Sequence, residues 1–112
     1  MSVQKIFVVS DATAETAERT VRAALVQFRG ADTQLRVFSL VRDQTRITEI
    51  AQLASDEGAL LVYTIVDPEQ RALIASLAES LAILSVDLIE PLMSTLTVVL
   101  ESDPVGRPGV PR

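Results

Sequence analysis

Cysteine and histidine are both absent from this 112-residue chain. Without cysteine there is no disulfide framework, no thiolate metal site and no cysteine nucleophile. Without histidine the usual zinc ligands and the commonest general base are gone, and no nucleophile, histidine and carboxylate triad can be assembled. Lysine is nearly absent too, since Lys5 is the only one and arginine supplies the rest of the positive charge. Those arginines are scattered. With a net charge of −5 and a pI near 4.6 they disfavour nucleic acid as a partner, because affinity for a phosphate backbone comes from clustered cations. No apolar run approaches the roughly 20 residues that span a bilayer. The Met-Ser-Val-Gln-Lys start also lacks the charged and then apolar layout of an export signal. A cytoplasmic location with no membrane partner is the expectation, and any chemistry must come from carboxylates, hydroxyls and arginines.

What is present is the profile of a globular domain, with 48% apolar and 22% charged residues. A chain of this length buries roughly two thirds of its unfolded surface and can fold alone. Ile6 to Val9, closed by Ser10 and Asp11, reads as a strand buried on both faces. A helix follows, with apolar positions at Ala17, Val21, Ala24, Leu25 and Phe28 and an end at Gly30. Glu15 with Arg19 and Glu18 with Arg22 are spaced for i,i+4 ion pairs. Leu35 to Val41 is a more polar strand suited to a sheet edge. The second helix carries Ile47, Ile50, Ala51 and Ala54 inward and is capped by Gly58.

Leu60 to Val66 is the second fully apolar run and the expected central strand. Asp67-Pro68-Glu69-Gln70 then provides a carboxylate N-cap, proline at N1 and a glutamine placed to close a capping box. Leu73, Ile74, Leu77, Ala78 and Leu81 form that helix's inner face. Ile83 to Val86 is a short fourth strand, and Pro91 opens a last helix whose buried stripe is expected at Leu92, Met93, Leu96 and Val99 or Leu100. Residues 102–112 hold three prolines and two glycines, the composition of an extended linker.

The βαβαβαβα order predicts an α/β fold: a three-layer, four-stranded parallel sheet, flavodoxin-like or Rossmann-like, with strand order 2-1-3-4. Residues 1–101 form the domain and residues 102–112 lead toward a further, carboxyl-terminal domain. Ligands of open parallel sheets bind beyond the carboxyl ends of the strands where the strand order reverses. That rule selects a polar crevice between the first and third strands, made of Ser10, Asp11 and Thr13 on one loop and Thr64, Asp67 and Arg71 on the other.

As a phosphate loop the segment from Ser10 to Thr16 is poorly made. It has no glycine for the left-handed turns of a phosphate nest, and Asp11 and Glu15 repel an anion. Thr13 is expected to cap the helix, with Glu15 complementing its dipole. A receiver-domain reading of Asp67 lacks the required late-strand lysine, and paired carboxylates for glycoside hydrolysis find no support. The Tyr63 ring is expected to fill space against a helix, and Asp87 to cap a turn.

Three collinear segments carry a resemblance that covers nearly the whole chain. Ile6-Phe7-Val8-Val9-Ser10-Asp11-Ala12-Thr13-Ala14-Glu15-Thr16-Ala17-Glu18, followed by Arg22 to Phe28, resembles the opening of the pyruvate, phosphate dikinase regulatory protein family, which includes phosphoenolpyruvate synthase regulatory proteins. Val62 to Glu69 resembles the family's third strand and helix start, and Val86 to Leu92 the approach to its fourth helix. Pro108-Gly109 falls where the family leaves this domain. The chain departs from the family at Ala12 and Ala14, where small residues including glycine are usual and glycine is the norm at the second position.

The resemblance implies a bifunctional serine/threonine kinase and phosphorylase. Such an enzyme uses ADP to phosphorylate a threonine of the dikinase or synthase, and uses phosphate to remove that group with release of pyrophosphate. It further implies that the nucleotide-binding loop lies in a carboxyl-terminal P-loop domain, so that ADP and phosphate are cofactors there and none binds this domain. No catalytic, cofactor-binding or metal-binding residue is carried over onto this chain, which alone is expected to be inactive. The Glu-Thr-Ala-Glu helix start is closer to the pyruvate, phosphate dikinase branch. Expected partners are pyruvate, phosphate dikinase or phosphoenolpyruvate synthase, the chain's own carboxyl-terminal domain and a second copy in a homodimer. Two other readings of the residues are a small-molecule-sensing flavodoxin-like domain and a dimerisation module.

Overall fold

Two continuous apolar strands, Ile6 to Val9 and Leu61 to Val62, lie side by side at the centre of a parallel sheet. The computed structural model describes residues 3–110 and contains β1 (Gln4–Ser10), α1 (Glu15–Leu25), β2 (Thr33–Phe38), α2 (Gln44–Glu57), β3 (Leu60–Thr64), α3 (Pro68–Ser80), β4 (Ser85–Asp87) and α4 (Glu90–Leu100). The four strands run parallel in the order β2-β1-β3-β4, giving the three-layer α/β architecture that the alternating pattern predicts.

Alternation along the strands sorts the core into two unequal halves. On one face Phe7, Val9, Phe38, Leu61 and Tyr63 meet Ile47, Ile50 and Ala54 of α2 and Ile74 and Ala78 of α3. On the other face Ile6, Val8 and Val62 meet the smaller Ala17 and Val21 of α1, with the half-buried Leu25 and Leu88 packed beside them. One row across the sheet displays the difference, because Val37, Val8, Val62 and Val86 are register neighbours. The two central valines are buried, whereas Val37 is 39% and Val86 45% exposed. The α1 face is therefore covered in the middle and open at both edges.

Edge strand β2 keeps its polar Arg36 by stacking it, with the guanidinium carbon 4.9 Å from the Phe38 ring centroid and 5.9 Å from that of Phe7. Helix α2 starts at Asp43, whose side chain accepts from the Arg46 N–H at 2.8 Å, and ends at Gly58, in the left-handed region at φ 66°. Asp67 caps α3 as expected, accepting from the Glu69 and Gln70 N–H groups at 2.9 and 3.1 Å with Pro68 in the first turn. Asp87 leads into α4 by accepting from Ile89 and Glu90.

Several local expectations need correction. Thr13 does not cap α1. The N-cap is Ala14, held at φ 70° with no side-chain cap, and Thr13 is exposed. A left-handed residue thus occurs in this loop without a glycine, because the loop must turn sharply from the sheet edge into the helix. Of the two ion pairs foreseen on α1, Glu18 with Arg22 forms at 2.9 Å and Glu15 with Arg19 does not among the described residues.

Helix α1 stops at Leu25 rather than near Gly30, since the Gln27 and Phe28 N–H groups bond three residues back and tighten the last turn. That tightening rotates Phe28 outward, to 64% exposed, and Ala24 is exposed as well. Strand β2 ends at Phe38 rather than Val41, because Leu40 takes φ 55°. Gln70 does not complete a capping box: its Oε1 is buried without a partner and does not take the Asp67 N–H. Helix α4 has no buried residue, so the stripe expected there does not face this domain's core.

Candidate functional site

At the carboxyl edge of the sheet, the loops after β1, β2 and β3 are tied together through backbone groups. Ser10 and Thr64 are register partners at the ends of the two central strands. The Asp11 N–H donates to the Thr64 carbonyl at 3.4 Å, and the Leu40 and Val41 N–H groups donate to the Ala12 and Ser10 carbonyls at 2.8 and 2.9 Å. Arg42 Nε donates to the Asp11 carbonyl at 2.7 Å. The Asp11 carboxylate adds the link to the third loop, with Oδ2 accepting from the Val66 N–H at 2.9 Å. Ser10 Oγ accepts from the Ala12 N–H at 3.0 Å. These bonds hold Ser10 and Asp11 almost fully buried, Asp11 at 4% exposed.

A cavity of about 440 Å³ opens over this junction. Ser10 and Thr64 line it from the strand ends, Asp11 and Val66 from the loops after them, Ile89 and Met93 from the start of α4, and residues 104–110 close it. The last segment has no helix or strand, yet it lies against the sheet edge instead of leading away from it. Two glycines make that path possible. Gly106 (φ 74°) sits so close to α3 that a Cβ would come within 3.3 Å of Pro68 Cδ, and Gly109 (φ 70°) passes the Arg42 guanidinium.

Three of the six residues assigned to the crevice therefore converge: Ser10, Asp11 and Thr64. Thr13 points to solvent, and Asp67 is spent on the α3 cap. Arg71 lies on the opposite face near Tyr63 and Asp87, with its Nη1 buried and unpartnered. Burial pushes the Tyr63 phenol above its usual 10.0, Asp87 pushes it further the same way, and Arg71 opposes them. Sequence reasoning missed Ile89, Met93, Arg42 and the closing segment. Ile89 is the residue before α4, and Met93 belongs to the stripe expected to face the core rather than a cavity. The segment's prolines and glycines read equally as a linker or as a folded strap.

Chemically the cavity sets one buried carboxylate beside two hydroxyls and the Arg107 side of the closing segment, within an otherwise mostly apolar wall. Among the described residues neither hydroxyl is hydrogen-bonded to a carboxylate, so neither is activated as a nucleophile. No group of three acidic side chains is placed to hold a metal ion among the described residues, and no helix there is long and apolar enough to cross a membrane.

Comparison with known proteins places this geometry in a lineage. Residues 6–112 match the model of the family described as kinase/pyrophosphorylase. A protein of Trichlorobacter lovleyi is 40% identical over 109 residues, covering 96% of this chain and 40% of the relative. One of Sorangium cellulosum is 40% identical over 103 residues, covering 92% and 37%, and one of Shouchella clausii is 36% identical over 105 residues, covering 94% and 39%. All three carry the provisional name pyruvate, phosphate dikinase regulatory protein. The chain spans about two fifths of the length of these relatives. With a match over nearly its whole length, the chain belongs to the kinase/pyrophosphorylase family.

Proposed function

We propose that this chain is the amino-terminal domain of a regulatory enzyme that controls pyruvate, phosphate dikinase, or the related phosphoenolpyruvate synthase, by reversible phosphorylation of a threonine. In this reading the phosphoryl chemistry, ADP-dependent in one direction and phosphate-dependent with pyrophosphate release in the other, belongs to a carboxyl-terminal nucleotide-binding domain. Residues 1–101 serve assembly and substrate docking, and residues 102–112 lead to that second domain. Family membership and the relatives' names support the regulatory role, and their greater length supports a second domain.

One observation carries the assembly role. Helix α4 is uncharged from Pro91 to Leu100 and has no fully buried residue, with Leu92 at 60% and Val99 at 68% exposed. That uncharged, exposed helix is an apolar surface of the kind that marks an interaction site.

Grafting this chain in place of the matching segment of the Trichlorobacter lovleyi relative tests the reading. The chimera should phosphorylate a dikinase with ADP, the chain alone should not, and Leu92→Asp with Leu96→Asp in the chimera should abolish the activity or raise KM for the dikinase. A folded but inactive chimera, or an active isolated chain, would overturn it.

A further inference from the structure

Two helices expose large apolar side chains, and their surroundings carry opposite charge. Among the described residues α2 and α3 expose none, whereas Val26 and Phe28 at the end of α1 are 75% and 64% exposed and α4 presents Leu92, Leu96 and Val99. Helical spacing sets Arg19, Arg22, Ala23 and Val26 at i, i+3, i+4 and i+7, on the side of α1 away from the buried Ala17 and Val21. From Arg19 to Arg29 the chain has three arginines and no acid. Arg22 is paired with Glu18 of its own helix, while Arg19 and Arg29 enter none of the ion pairs among the described residues. On α4 the same spacing aligns Leu92, Leu96 and Val99 at i, i+4 and i+7. From Glu90 to Asp103 there are three acids and no base. Ser102 to Pro104 line a groove with the half-buried Met93 and Thr97, so the leucine side of the helix is the one that stays open.

We propose that the α4 stripe is covered by α1 of a second copy, with Leu92, Leu96 and Val99 packed on Val26 and Phe28 and with Arg19 and Arg29 meeting the acids at the ends of α4. This rests on the reading of α4 as an assembly surface and names its occupant. Glu90 and Glu101 bracket the leucine stripe about 16 Å apart, and Arg19 and Arg29 bracket the α1 patch in the same way. Each surface complements the other and opposes itself, since two α4 stripes set acid against acid and two α1 ends set arginine against arginine. The apolar centre supplies affinity, and the charges select the partner. Leu88, which leads into α4, packs in the α1-side cluster, so α4 starts from the side of the sheet that α1 covers. A two-fold axis on that side lets each copy use both surfaces and closes the assembly at a dimer. Added salt screens the selection and opens the α4-on-α4 contact that acid repulsion disfavours, so the α1 pairing is the one that forms at low ionic strength.

The test uses the 112-residue chain at low ionic strength. Light scattering should show a monomer–dimer equilibrium that is lost in Leu92→Asp with Leu96→Asp and lost again in Val26→Ser with Phe28→Ser, all four side chains being exposed. A mixture of the two variants is decisive, because a mixed dimer keeps one α1-on-α4 contact that neither variant makes alone. Isotopically labelled Val26→Ser, Phe28→Ser chain should show saturable NMR shifts at the amides of residues 92–100 when the Leu92→Asp, Leu96→Asp chain is added. The reverse labelling should move the amides of residues 19–28. Where the serine pair fails to fold, Arg19→Glu with Arg29→Glu takes its place and should weaken the dimer roughly tenfold. A Val26→Ser, Phe28→Ser chain that dimerises as the unaltered chain does, or a mixture without shifts, overturns the proposal. If the Leu92 and Leu96 changes still abolish the dimer in that case, α4 remains an assembly surface with another occupant. An unaltered chain that stays monomeric at every concentration removes the assembly reading together with the proposal.

Discussion

Ala14 shows how one residue can be legible in type and hidden in consequence. Its left-handed conformation, φ 70°, costs an L-residue energy that glycine does not incur. Ala14→Gly should raise stability by about 0.5–1 kcal/mol, as a rise in the urea midpoint at unchanged m. A fall instead would mean that burial of the alanine methyl outweighs the strain. Asp67→Ala should cost about 1 kcal/mol, because one carboxylate oxygen serves two N–H groups of the first turn. Tyr63 makes a prediction of opposite pH sense to the usual acid effects. Its folded-state pKa is raised, chiefly by burial, so the folded state holds the phenolic proton more tightly than the unfolded chain. The associated stability is intact below pH 10.0 and is lost as pH climbs through the folded value. Denaturant midpoints measured across the alkaline range should fall, and Tyr63→Phe should flatten that limb.

At the scale of elements, what the sequence disclosed depended on whether a segment's neighbours lie inside this domain. Ile6 to Val9 and Leu60 to Val66 read as central strands because burial on both faces leaves an apolar run, the second ending at Thr64 in the structure, and the order 2-1-3-4 followed from those two runs. Asp67 and Gly58 were readable because caps act within one turn. Thr13 misled because a side chain able to cap does so only if the backbone delivers it to the helix end, and the turn at Ala14 does not. The closing segment was the hardest element. Nothing in Pro-Val-Gly-Arg-Pro-Gly says that Gly106 packs on Pro68, since that contact joins residues distant in the chain. Ser10, Asp11 and Thr64 were found by topology alone, whereas their α4 and strap neighbours were not. Gly106→Val should disrupt the strap locally, through both φ 74° and the 3.3 Å approach to Pro68 Cδ. Faster hydrogen exchange across residues 104–110, with the amides of β1 and β3 still protected, is the expected signature. Uniform loss of protection would make the strap part of the cooperative core instead.

For the molecule as a whole, the imbalance between its two faces decides how it behaves outside a larger assembly. The α2 and α3 side holds the larger cluster, with Ile47, Ile50, Leu61 and Ile74 fully enclosed, and it supplies most of the hydrophobic stabilisation. The α1 side leaves Val37 and Val86 open at the sheet edges, and α4 adds Leu92, Leu96, Val98, Val99 and Leu100 as exposed apolar surface. Acidic residues stand at both ends of that helix, Glu90 and Glu101, and no charge interrupts it. Such a surface associates through its apolar centre while its acidic ends repel a like copy laid antiparallel. The isolated chain should therefore bind a hydrophobic dye and self-associate weakly as concentration rises, more so at high salt, where the end charges are screened. Leu92→Asp with Leu96→Asp should remove both behaviours and change unfolding free energy by no more than about 0.5 kcal/mol, since these side chains contribute nothing to the buried core. Light scattering across a concentration series, paired with urea unfolding of the same variant, measures both halves. A large loss of stability would show that α4 packs on this domain after all. A dye-negative monomer at every concentration would remove the case for α4 as an assembly surface.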